Sequence, residues 1–121
     1  MNTQHLLAVY GTLRKGYGNH RLLNGARFIR DQWLAGFIMC GTSIPFVFSS
    51  RLPGQEIKIE IYEVDQKTLE RIDRLEGHPN WYRREMVETD VGRAWIYLVQ
   101  EDGVRHMPII KSGDWETDWE T

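Results

Sequence analysis

Ile57-Lys58-Ile59-Glu60-Ile61-Tyr62 alternates apolar and polar side chains, and within three residues the pattern changes to that of a helix. A period of two marks a half-buried strand, here with three isoleucines on one face. From Asp65 to Leu75 the period becomes helical, with Leu69, Ile72 and Leu75 as the apolar stripe. Asp65 is placed to cap the first turn, and Gly77 to end the helix in a left-handed conformation. Strands predominate elsewhere, so this pair points to an α+β domain with one main helix crossing between strands.

Leu6 to Tyr10 is a nearly continuous apolar run, which suits a central strand buried on both faces. Gly11 to Asn19 is rich in turn residues, and His20 to Leu23 begins a short helix. Trp33 to Gly41 reads as one strand, and Ser43 to Gly54, with two prolines, as a loop. Arg84 to Thr89 and Ala94 to Val99 read as a hairpin joined through Asp90-Val91-Gly92-Arg93. The tail from Ser112 to Thr121 carries Trp115 and Trp119, which either dock on the body or leave the tail peripheral. The expected architecture is a single domain over residues 1–121, a small α+β fold built as a curved mixed sheet or open barrel.

The 121 residues carry a net charge of -2, which offers no signature of polyanion binding, so nucleic acid is not an expected partner. Cys40 is the single cysteine, which excludes an internal disulfide and a cysteine-rich zinc site. It follows Phe37-Ile38-Met39 and reads as a small buried hydrophobe. The histidines show no metal-ligand spacing with a carboxylate, and no metal site is expected. No apolar run approaches membrane-spanning length and no export segment is visible, so the expected setting is cytoplasmic.

Glu76 lies four residues after Ile72 and seven after Leu69, so its side chain leaves the helix from the buried face. A carboxylate in apolar surroundings, at the negative end of a helix dipole, holds its proton more tightly than a surface Glu. That is how a general base is tuned toward neutral pH. Taken alone, the residue reads more readily as a solvated helix end. Tyr10-Gly11-Thr12-Leu13-Arg14 is a second candidate: the first strand breaks into a glycine-rich loop whose freed N–H groups can bind an anionic or carbonyl oxygen. A plain strand-to-loop turn is the alternative. The lysine-bearing phosphate-loop spacing is absent.

These pieces combine with others: Gly16 and Asn19 after the first loop, Glu60-Ile61-Tyr62-Glu63-Val64 before the helix, Leu69, Ile72, Asp73 and Leu75-Glu76-Gly77 within and after it, Tyr82-Arg83-Arg84, and Ser112-Gly113-Asp114-Trp115. In order and spacing they resemble the γ-glutamylcyclotransferase-like, or AIG2-like, family over almost the whole chain. The resemblance is closest to the short bacterial members and the γ-glutamylamine cyclotransferases. It implies a small β-barrel-like fold with helices and a polar central cavity. It also implies that the loop Tyr10, Gly11, Thr12, Leu13 binds the γ-glutamyl part of a small-molecule substrate and that Glu76 is the general acid/base. The reaction it implies is attack of the substrate's α-amino group on its own γ-amide carbonyl, releasing an amine and 5-oxoproline without a metal or organic cofactor.

Tyr82 and Tyr10 are candidates for hydroxyls lining that cavity. Asp73 reads as lying off the apolar stripe, facing solvent, and His78 as shaping its loop with Pro79. Arg14 reads either as attracting a substrate carboxylate or as solvated. Relatives usually carry glycine where Ile59 stands, and a side chain there would narrow the pocket. Two further readings remain: a non-catalytic module binding a small acidic or γ-glutamyl ligand in the same cavity, and an interaction domain whose Trp115 and Trp119 tail docks a partner. The leaving group and the oligomeric state are not legible.

Overall fold

The structure, a computed structural model, describes residues 4–51 and 55–115. Five strands form a mixed sheet: β1 (Gln4–Val9), β2 (Arg27–Ala35), β5 (Glu56–Asp65), β6 (Arg83–Thr89) and β7 (Gly92–Leu98). Their order across the sheet is β2-β5-β1-β7-β6. β1 runs parallel to β7, and the other neighbours are antiparallel. A separate two-stranded ribbon joins β3 (Phe37–Gly41) to β4 (Pro45–Ser49). The helix α1 (Gln66–Glu76) follows β5 directly.

β1 is central and covered on both faces, which is why its apolar residues are continuous; Leu7, Ala8 and Val9 are all buried. Alternation in β5 sends Ile57, Ile59 and Ile61 into one core with Ala8, Ile96 and Val47. Tyr62 and Val64 point the other way, into a second core with Leu7, Val9, Leu69 and Ile72 beneath α1. The hairpin tip between β6 and β7 reaches the far edge of the sheet: the Asp90 N–H donates to Gln32 Oε1 at 3.0 Å, and Asp90 pairs with Arg30 at 3.6 Å. Opposite edges therefore meet at that tip, and the sheet is curled as expected for a partly closed barrel.

The helix forms as its sequence predicts. Asp65 accepts a hydrogen bond from the Thr68 N–H at 2.8 Å, and Gly77 ends the helix in the left-handed region at φ 67, ψ 34. One stripe residue differs. Leu75 is 46% exposed, and the buried line runs instead through Thr68, Leu69 and Ile72. Glu76, one position on, returns to that line because it is four residues from Ile72.

Two further expectations are corrected. The strand expected over Trp33 to Gly41 is two strands in different sheets, broken at Gly36, and β2 begins six residues earlier than expected. The first half of β2 is mostly exposed edge, so it lacks an apolar alternation to read. The loop expected over Ser43 to Gly54 contains β4, in which Val47 and Phe48 are buried against β3. Pro45 heads that strand, where a missing N–H does not interrupt the ladder. Leu52 to Gly54 lie outside the described residues.

The tail begins inside the fold. Trp115 is 2% exposed and belongs to the first core, and the Gly113 carbonyl accepts from the Lys58 N–H at 2.8 Å. Trp115 is thus engaged by its own chain rather than free to dock a partner, and Trp119 lies outside the described residues. Cys40 is buried, its thiol 3.9 Å from the Val104 carbonyl.

Candidate active site

β1 delivers its C-terminal end to a tight turn. The Arg14 N–H donates to the Gly11 carbonyl at 2.9 Å, and Asn19 holds Thr12 twice, from its backbone N–H to the Thr12 carbonyl and from Nδ2 to Oγ1 at 2.8 Å. His20 Nδ1 lies 2.9 Å from the Leu13 carbonyl oxygen. The turn presses on the ribbon: a Cβ on Gly11 would stand 2.7 Å from Pro45 Cγ, so only glycine fits there without movement. Among the described residues, no protein acceptor takes the N–H groups of Gly11, Thr12 or Leu13.

Glu76 ends α1 beside this turn. The left-handed Gly77 reverses the chain, the Trp81 N–H returns to the Gly77 carbonyl at 2.9 Å, and the Tyr82 N–H returns to the Glu76 carbonyl at 3.3 Å. The loop so formed lays Tyr82 parallel to Phe46 of β4, with ring centroids 5.8 Å apart. The Tyr82 hydroxyl donates to the Pro45 carbonyl at 3.1 Å. His78 shapes the loop by accepting the Arg84 N–H at 3.2 Å, as expected.

Between turn, helix end and ribbon lies a cavity of about 50 Å³. Tyr10, Gly11, Thr12, Leu13, Glu76 and Tyr82 all line it. Burial raises the Glu76 carboxyl from its ordinary value to about 7. The Tyr10 and Tyr82 phenols are both pushed upward by burial first; the charges of Tyr82 and Glu76 add to it at Tyr10, and the charge of Glu76 adds to it at Tyr82. At neutral pH the cavity therefore holds neutral phenols and one carboxyl poised between its two forms.

Other residues fall elsewhere than expected. Arg14 is neither solvated nor aimed at a ligand: it pairs with Glu60 at 3.3 Å and Asp114 at 2.7 Å, and donates to the Trp115 carbonyl at 3.0 Å. Asp73 does not face solvent, since it accepts from Arg84 Nε at 2.8 Å and from the Tyr97 hydroxyl at 2.6 Å. Ile59 is fully buried in the first core and is not among the cavity's lining residues, so it does not narrow the pocket directly.

Tyr97, Ile44 and Pro45 line the cavity and were not singled out from sequence. Alternation in β7 separates Tyr97 from the Ala94-Ile96-Leu98 face, which was a usable signal. What that second face meets is decided by where α1 packs.

The family model for gamma-glutamyl cyclotransferase, AIG2-like, matches residues 7–117. The chain belongs to this family. A protein of Vibrio cholerae, provisionally named a gamma-glutamylcyclotransferase, is 39% identical over 117 residues, covering 93% of this chain and 96% of that one. The crystal structure of an uncharacterized Pyrococcus horikoshii protein superposes with a TM-score of 0.76 at 34% identity, covering 91% of this chain and 88% of that one. An AIG2-like protein from mouse superposes with a TM-score of 0.78, covering 95% and 90%; at 22% identity the likeness is one of fold. Among the described residues of this AIG2-like chain, no helix is long and apolar enough to cross a membrane.

Proposed function

We propose that the protein cyclises a γ-glutamyl amine or γ-glutamyl amino acid to 5-oxoproline and a free amine. The observation that carries this reading is a carboxyl raised to about 7, sharing a small cavity with a turn whose N–H groups have no acceptor among the described residues. Ionised Glu76 takes a proton from the substrate's α-ammonium, leaving a neutral amine. The amine nitrogen bonds to the γ-carbonyl carbon, and the electron pair of the carbonyl moves onto oxygen. As the pair returns, the bond to the leaving nitrogen breaks and Glu76 delivers its proton there; the ring nitrogen gives up its second proton to solvent, which leaves a neutral lactam, a free amine and an ionised Glu76.

Acid/base catalysis of this kind contributes roughly 10²–10⁴-fold. A backbone donor from Gly11, Thr12 or Leu13 on the developing oxyanion is worth about 3 kcal/mol. The cavity adds orientation by folding the glutamyl chain so that its own amine reaches its own carbonyl. The nucleophile belongs to the substrate, so the chemistry asks for no cofactor. The reading implies a small-molecule γ-glutamyl partner and a cytoplasmic setting.

The test is 5-oxoproline release from a panel of γ-glutamyl amines and amino acids, by the native chain and by a folded Glu76→Gln variant. Turnover by the native chain, lowered about 10²-fold or more in the variant, is the expected result. Equal turnover in both removes Glu76 from the mechanism. Stabilisation by γ-glutamyl ligands with no product from either would favour the non-catalytic binding module.

A further inference from the structure

Three tyrosines line the cavity, Tyr10, Tyr82 and Tyr97, and each has its single phenol proton already committed. The Tyr10 hydroxyl donates to the Tyr97 carbonyl, the Tyr82 hydroxyl to the Pro45 carbonyl, and the Tyr97 hydroxyl to Asp73 Oδ1. The first two directions are forced, because a carbonyl oxygen has no proton to give. The third follows from the state of Asp73. Burial alone would raise this carboxyl, but hydrogen bonds from Arg84 and Tyr97 and the charge of Arg84 outweigh it and hold the group below the usual carboxylate range. An ionised Asp73 only accepts.

Each phenol oxygen is left with lone pairs and no free proton. Glu76 lines the same cavity as these phenols, and its charge acts on all three. The turn supplies the contrast: the N–H groups of Gly11, Thr12 and Leu13 only donate, and Thr12 Oγ1 already accepts from Asn19, so its own proton is available. A cavity divided into a donating and an accepting part matches the zwitterionic head of an amino acid in one orientation, carboxylate to the turn and ammonium to the phenols.

Resting on the reaction given above, we propose that the Tyr97 oxygen accepts a hydrogen bond from the substrate's α-ammonium, and that Asp73 is the positioning residue that makes it an acceptor by taking the Tyr97 proton. Without Asp73, a phenol beside an ionised carboxylate turns its proton toward that carboxylate. The hydroxyl would then occupy Glu76 and present a donor where the ammonium needs an acceptor. A purely structural tie between α1 and β6, through Asp73 and Arg84, would produce no such chemical selectivity.

The test compares L-glutamate with glutarate, which lacks the ammonium; neither carries an amide to cleave, so binding is read by calorimetry without turnover. The native chain is expected to prefer glutamate by about tenfold or more, the worth of one hydrogen bond to a charged group. Asp73→Leu and Tyr97→Phe are expected to lower that ratio by about tenfold by weakening glutamate alone, any preference that remains being the attraction of Glu76 for the ammonium. Asp73→Glu, which keeps a carboxylate, is expected to restore part of the ratio. An undiminished ratio in Asp73→Leu that still melts cooperatively overturns the proposal. If that variant does not fold, an undiminished ratio in Tyr97→Phe does so. A native chain that binds glutarate as tightly as glutamate also overturns it. Failure of the proposed reaction is separate: the native ratio would stand, with no 5-oxoproline from any γ-glutamyl amine.

Discussion

Glu76 has a carboxyl group that gives its proton up near pH 7, and two measurable consequences differ in sign. In the proposed reaction Glu76 must be ionised to act as the base, so kcat/KM is expected to climb with pH through a midpoint near 7 and level off above it. A pH profile with no acid limb between 6 and 8 would contradict this. For stability, the folded state binds the Glu76 proton more tightly than the unfolded chain. Its contribution is therefore greatest below the unfolded value near 4.5 and is lost as pH rises to 7. Glu76→Gln, which stays neutral, is expected to be more stable than the native chain at pH 8 by up to about 3 kcal/mol, and equal to it near pH 4. Urea melts at the two pH values compare them. The same substitution would thus raise stability at pH 8 and lower turnover, as expected where a functional group is held in an unfavourable setting.

At the scale of elements, α1 shows how local rules place a chemical group. Its start and end are both written in nearby residues, because a cap and a left-handed glycine act within one turn. Asp65→Ala is expected to cost about 1 kcal/mol in chemical denaturation, since the Thr68 N–H loses its acceptor. Gly77→Ala is expected to cost about 1–2 kcal/mol for its positive φ, and its Cβ would also stand 3.2 Å from the Trp81 Cβ. The second variant should lose more activity than its stability loss explains, because Gly77 steers the chain from Glu76 to Tyr82. Measuring kcat/KM beside the melting curve separates the two effects. β4 shows the limit of local reading. Pro45, two serines and a nearby second proline look like a loop, and only pairing with β3 makes a strand of them. Tyr82 and Gly11 both lean on that strand, so a wall of the site was hidden with it.

Across the whole molecule, the C-terminal segment is tied to the site through Arg14, which joins the loop after β1 to Glu60, Asp114 and the Trp115 carbonyl. Trp115→Ala would empty a fully enclosed core position and is expected to cost about 3–5 kcal/mol, enough to unfold a marginal domain at moderate temperature. Calorimetry would show it as a large fall in Tm. The sequence by itself determined the elements whose signals are short-range: the alternating β5, the capped α1, the β6–β7 hairpin and the buried run of β1; for Glu76 it offered an inward direction beside a solvated one, and the packing of α1 chose between them. The sequence also carried the Tyr10 to Leu13 turn and, by resemblance, the family. Tertiary structure alone decided that Leu75 faces solvent, that Trp33 to Gly41 divides between two sheets, and that Arg14 and Asp73 are consumed by partners within the chain. It also brought Tyr97 to the cavity. Those outcomes depend on groups far apart in sequence, Arg14 with Asp114 and Asp73 with Tyr97. A periodic pattern tells which face of an element is buried, and packing alone tells what that face will meet.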